Sequence, residues 1–86
     1  MMAGKYRPVE YKEVVAGLKA LGFELRSQKS TSHEQWVKDA TRNGQPFRLK
    51  VTVDRHHAPF RRTLLQSMIA QAGVSKDEFY RACGVL

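Results

Sequence analysis

At 86 residues the chain is too short to divide into two cores, and at this size a partner that binds the folded form would add useful stability. Lysine and arginine number 15 against 8 aspartates and glutamates, a formal net charge of +7 that favours a polyanion or an acidic protein over a neutral small molecule. The single cysteine, Cys83, excludes an internal disulfide, no apolar run approaches the ~18 residues of a membrane span, and a cytoplasmic location is expected.

Residues 1–7 read as a short flexible arm and residues 8–86 as one domain, with no internal repeat. Tyr11, Val14, Val15, Leu18 and Leu21 recur at helical spacing, so a helix is expected over 8–21, opened by Pro8 and stopped by Gly22. Phe23-Glu24-Leu25-Arg26 alternates apolar with polar and starts a first strand. A polar connection over 27–32 leads to a second strand over 33–38. Alternation places His33, Gln35 and Val37 on one face of it and Glu34, Trp36 and Lys38 on the other. Asn43-Gly44 is a strong turn signal inside a connection over 39–46 that can exceed a two-residue hairpin.

Phe47, Leu49, Val51 and Val53 then alternate with Arg48, Lys50 and Thr52, a third strand with one apolar face and one cationic face. Residues 54–62 form a loop rich in charge and histidine. Thr63-Leu64-Leu65-Gln66 has the form of a capping box, followed by an apolar stripe of Leu64, Leu65, Met68, Ile69 and Ala72 and a stop at Gly73. Ser75-Lys76-Asp77-Glu78 is a second capping box that opens a short helix carrying Phe79 and Tyr80. The expected fold is α+β in the order αβββα: a three-stranded antiparallel sheet, two helices on its apolar face and a short C-terminal helix. That order resembles the double-stranded RNA-binding-domain fold, which by itself does not fix function.

Four stretches stand out by their order and spacing: Leu18-Lys19-Ala20-Leu21-Gly22-Phe23, Gln28-Lys29-Ser30-Thr31-Ser32-His33-Glu34-Gln35-Trp36, Lys50-Val51-Thr52-Val53-Asp54-Arg55-His56, and the segment from Thr63 to Ser75. Together they resemble the HicA (YcfA-like) family of toxins, small mRNA interferases of bacterial toxin–antitoxin pairs. The resemblance implies a ribonuclease that needs no metal or other cofactor, is silenced by a HicB-like antitoxin protein, and uses as catalytic residue the histidine that falls on His33. The chain departs from the family pattern at Ser30, where a glycine is usual, and at Asp54, where a proline is common. The first alters backbone freedom, and the second brings negative charge near the anionic substrate, so either can reduce activity.

A histidine side chain titrates near ~6.5 and can give or take a proton at neutral pH, which suits His33 to general acid/base cleavage of an RNA phosphodiester. The plain alternative is a solvated strand histidine. Lys29, Arg48 and Lys50 are candidates to stabilise charge on the phosphate, Ser32 to donate to its oxygens, and Arg55, with Arg61 and Arg62, to hold neighbouring phosphates. Each of these also reads as an ordinary surface or loop residue. Trp36 suits base stacking or a place in the sheet or a partner interface. His56 is a candidate to orient His33 or the substrate, whereas His56-His57 with His33 or Cys83 lacks the ligand spacing of a metal site. Val37 shares the face of His33 and favours burial, so access to His33 requires its place at the strand's first position, beside the preceding loop, or a bulge. The function expected is a metal-independent mRNA ribonuclease. The alternatives are a non-catalytic RNA-binding module of the same fold, or an adaptor whose basic face serves only its partner.

Overall fold

The computed structural model describes residues 7–26 and 33–85. Helix α1 (Tyr11–Ala20) starts at the first residue of its apolar stripe and later than the opening expected at Pro8, because Val9 is held in an isolated antiparallel bridge with Phe60. The Val9 N–H donates to the Phe60 carbonyl at 3.0 Å, and the Phe60 N–H returns a bond of 2.8 Å. Glu10 then caps the helix with extended backbone, and the Glu13 carboxylate accepts the Glu10 N–H at 2.8 Å and the Arg7 guanidinium at 2.9 Å. The Arg7 bond and the Glu10 N–H hold the Glu13 carboxyl below its usual range.

The first strand is shorter than expected, β1 (Glu24–Leu25), and pairs antiparallel with β2 (His33–Arg42). Strand β2 pairs in turn with β3 (Gln45–Asp54), so the sheet order follows the chain. The expected long connection over 39–46 is instead a two-residue turn, with the strands paired up to Arg42 and Gln45. Asn43 (φ 54°) and Gly44 (φ 77°) both take left-handed backbone, the requirement of the primed turn whose twist matches the flanking strands. The register runs unbroken from Arg42–Gln45 to His33–Asp54, so no bulge interrupts it.

This register explains the two faces of the hairpin. In a two-residue hairpin the pair flanking the turn exchanges backbone hydrogen bonds, and every second pair beyond it does not. Counting back, His33–Asp54, Gln35–Thr52, Val37–Lys50 and Asp39–Arg48 are all pairs of the second kind, where side chains approach most closely. They form the open face of the sheet. Thr52 Oγ1 lies 3.4 Å from Gln35 Oε1, and Arg48 Nε donates to Asp39 Oδ1 at 2.9 Å. Val37 needs no burial of its own, because it lies half-covered between Glu24 and Lys50.

The opposite face carries Trp36, Val51 and Val53 into the core. After β3 a 3-10 turn (Arg55–His57) leads to α2 (Arg62–Ala72), which packs on β3 and ends at Gly73 with φ 73°. The capping box expected at Thr63 does not form: Arg61 occupies the cap with no side-chain bond, and Thr63 lies inside the helix. Helix α3 (Lys76–Ala82) is capped as expected, Ser75 Oγ accepting the Glu78 N–H at 3.1 Å, and it packs on α1. Val14 and Leu18 of α1, Leu65 and Met68 of α2, and Phe79 and Tyr80 of α3 close over the sheet.

Candidate active site

The open end of the hairpin gathers the site. His33, the first residue of β2, stands opposite Asp54, the last of β3, and its Nε2 lies 3.2 Å from Asp54 Oδ2. The imidazole is 60% exposed and the carboxylate only 17%, so the acid sits behind the ring and fixes its orientation. The other carboxylate oxygen, Oδ1, accepts the His56 N–H at 3.0 Å and caps the 3-10 turn. That turn swings His57 back over the strand end, where its Nδ1 lies 3.6 Å from the same Oδ2. The expectation that the His56 side chain attends His33 therefore gives way to a different arrangement. His56 contributes its backbone, and His57 contributes the second ring.

Beside the two rings is a pocket of about 190 Å³. Its strand wall is His33, Thr52, Asp54 and His57, its floor is Phe60 and Met68, and α2 adds Leu64, Ser67 and Gln71. Gln71 is tied down, its Oε1 accepting the outward-pointing Thr52 N–H of the edge strand at 3.1 Å.

Across the strand from His33 is a second polar cluster, directed into the core. Glu34 is buried and accepts the Tyr11 hydroxyl at 2.6 Å and Trp36 Nε1–H at 3.0 Å. Arg55 Nε lies 3.8 Å from Glu34, and its guanidinium sits 5.8 Å from the centre of the Tyr11 ring. Burial, and after it the Glu34 bond, raises the Tyr11 phenol above its ordinary value. One sequence reading changes in consequence. Trp36 is 2% exposed and belongs to the core, with no face for a base to stack on. Arg55 lies beside Glu34 and Tyr11 with its side chain 56% exposed.

Lys50 and Arg48 do lie on the His33 face, one behind the other along β3. At a rise of ~3.3 Å per residue, Lys50 is about 13 Å and Arg48 about 20 Å from Asp54. They form a cationic track leading away from His33, and Arg48 is already paired with Asp39. Arg61 and Arg62 are exposed at the start of α2. Lys29, Ser30 and Ser32 lie outside the described residues.

Among the described residues no group of three or more histidine, cysteine or carboxylate side chains could hold a metal ion. Cys83 is buried against α1, and burial pushes its thiol up to about 12. Among the same residues no helix is long and apolar enough to cross a membrane.

Sequence reasoning reads Asp54 only as negative charge near the substrate and His57 only within a metal set that lacks ligand spacing, and it misses their places beside His33. The signal for Asp54 was present, since counting back from a two-residue Asn43-Gly44 turn pairs His33 with Asp54.

The α+β fold thus brings a carboxylate-held imidazole to the mouth of a pocket, at one end of a strand face that carries Lys50 and Arg48. Residues 11–74 match the family model described as HicA toxin of bacterial toxin-antitoxin, and the chain belongs to the HicA toxin family. Neither among curated proteins nor among solved structures was a match found.

Proposed function

We propose that this chain is the ribonuclease toxin of a type II toxin–antitoxin pair and cleaves mRNA without a metal ion, with His33 as general acid/base. The observation that carries the reading is the exposed His33 imidazole held 3.2 Å from a largely buried carboxylate. A ring held through one nitrogen can exchange a proton through the other, taking it from a ribose 2′-hydroxyl or giving it to the leaving oxygen. Lys50 and Arg48 would follow the RNA backbone as it leaves the site, and Lys29 and Ser32 enter the proposal from sequence alone. Arg55 holds the strand end through Glu34. A HicB-like antitoxin would silence the toxin by covering the open sheet face, and acidic groups on it would suit the +7 charge. The pair would act in the cytoplasm.

The test is induction of wild type and His33→Ala in a bacterial host at equal soluble expression, with growth and total RNA followed over time. Wild type is expected to arrest growth and degrade message, and His33→Ala to do neither, since loss of a general acid or base costs about 10²–10⁴-fold in rate. Equal behaviour of the two proteins would refute a catalytic His33. If wild type binds RNA without cutting it, the chain is a binding module. Purified activity abolished by a chelator would exclude the metal-free route.

A further inference from the structure

We propose that His57 is the second proton-transfer group of this site, so that His33 and His57, flanking one carboxylate, divide between them the two proton transfers of RNA cleavage. The inference rests on the ribonuclease reading and gives it a mechanism. Three observations carry it. The two rings flank the same oxygen, His33 Nε2 at 3.2 Å and His57 Nδ1 at 3.6 Å from Asp54 Oδ2. Both are largely exposed, 60% and 59%, while the carboxylate between them is 17% exposed. Both line the same pocket. Asp54 is also fixed through its other oxygen by the His56 N–H, so His57 is placed by a hydrogen-bonded turn that starts at Asp54 itself.

Cleavage at a ribose requires the attacking and leaving oxygens to lie roughly in line across the phosphorus. The proton acceptor and the proton donor must then stand on opposite sides of it. A single imidazole can serve both sides only by moving between them, whereas two rings flanking a carboxylate can stand on both sides at once. In the balanced step, the neutral ring takes the proton of the 2′-hydroxyl as O2′ forms its bond to phosphorus. The electron pair of the breaking P–O5′ bond goes to O5′, which takes a proton from the other, protonated ring. One proton has entered the pair and one has left it. The products are a 2′,3′-cyclic phosphate and a 5′-hydroxyl, with no water, metal ion or redox partner consumed. When water then attacks the cyclic phosphate, the now-neutral ring takes a proton from the water as its oxygen bonds to phosphorus, and the now-protonated ring gives its proton to O2′ as the P–O2′ bond breaks, so each ring regains its starting protonation state.

The test uses the purified full chain in single-turnover cleavage of an oligoribonucleotide and of the same oligonucleotide with sulfur in place of the bridging 5′-oxygen at the cleaved bond. A thiolate leaves without being protonated, so the sulfur substrate no longer needs the acid. His33→Ala and His57→Ala are each expected to slow the all-oxygen substrate by about 10²–10⁴-fold. On the sulfur substrate one of the two should recover to near the wild-type rate and the other should not. His57→Asn, which keeps a side-chain N–H beside Asp54 without a nitrogen that titrates near neutral pH, should be as slow as His57→Ala on oxygen if the ring's proton chemistry matters. The proposal is overturned if His57→Ala or His57→Asn keeps the wild-type rate on oxygen, or if sulfur rescues both alanine variants or neither. Failure of the wild type to cut either substrate would refute the ribonuclease reading itself, and this mechanism with it. That outcome is distinct from slow cutting by a variant.

Discussion

Replacing Tyr11 by phenylalanine removes one hydroxyl and tests whether the buried Glu34 cluster holds the hairpin to α1. The Tyr11 hydroxyl donates to the buried Glu34 carboxylate at 2.6 Å, a short, part-buried bond. Hydrogen bonds to charged groups contribute about 1.5–3 kcal/mol, and the Trp36 N–H remains to hold the carboxylate in the variant. We therefore expect Tyr11→Phe to cost about 2 kcal/mol. A domain of this size is stable by roughly 4–13 kcal/mol at ~0.05–0.15 kcal/mol per residue, so the loss is readily measured. Trp36 is the chain's single tryptophan and is buried beside the cluster, so its fluorescence in a urea titration reports the transition. With a slope of about 1–3 kcal/mol per molar, the midpoint should fall by about 1 M. The Tyr11 phenol is raised in the folded state, so its contribution is complete below its ordinary value of 10.0 and is lost as pH climbs above it. The gap between wild type and variant should close in that alkaline range. RNA cleavage by the folded variant should be unchanged, because the cluster faces away from His33. A midpoint shift below ~0.3 M would refute the reasoning, since it would make the bond no better than an exposed one.

Three further outcomes are expected. A Cβ on Gly17 would lie 2.5 Å from Cys83 Sγ and 3.1 Å from its backbone, so Gly17→Ala should force α1 from α3 and cost about 1–3 kcal/mol, read as a lower melting temperature. Burial pushes the Cys83 thiol from its ordinary 9.0 up to about 12. The thiol should therefore resist disulfide reagents in the native protein and react on unfolding, and its share of stability, full below 9.0, should drain away as pH rises towards 12. Lys50→Ala should weaken single-stranded RNA binding and lower the slope of log affinity against log salt by about 0.7, while leaving binding of uncharged nucleosides unchanged.

How much of this could be read from the sequence depended on where the deciding contact lay. The period of α1 and the alternation of β3 were legible because burial along one element writes itself into that element's own residues. The end of β2 was not. Asp39-Ala40-Thr41-Arg42 lies beyond the cover of the helices, and pairing there is dictated by the turn instead of by burial. The start of α1 was misread because Pro8 suits a first helical turn, and only the bridge of Val9 to the distant Phe60 shows that the chain is still extended there. The Thr63 pattern met every local requirement of a capping box, yet the chain arriving from Phe60 puts Arg61 in the cap. In the site, His33 stood out by residue type, whereas the partnership with Asp54 and His57 crosses a hairpin and appears only once the register is known.

That register gives the Asn43-Gly44 turn a consequence at the far end of the hairpin. All ten pairs from Arg42–Gln45 to His33–Asp54 are counted from the turn, with no bulge to absorb an error. Shifting the pairing by one residue would carry a strand's side chains to the opposite face. On β3 it would bring Val53 or Arg55 opposite His33 and expose Val51 and Val53 to solvent. The loss of that burial, at about 1.5–3 kcal/mol for each such side chain, opposes the slip strongly. The same apolar residues that close the core thus also hold Asp54 against His33. The His33–Asp54 geometry is set by the hairpin as a whole.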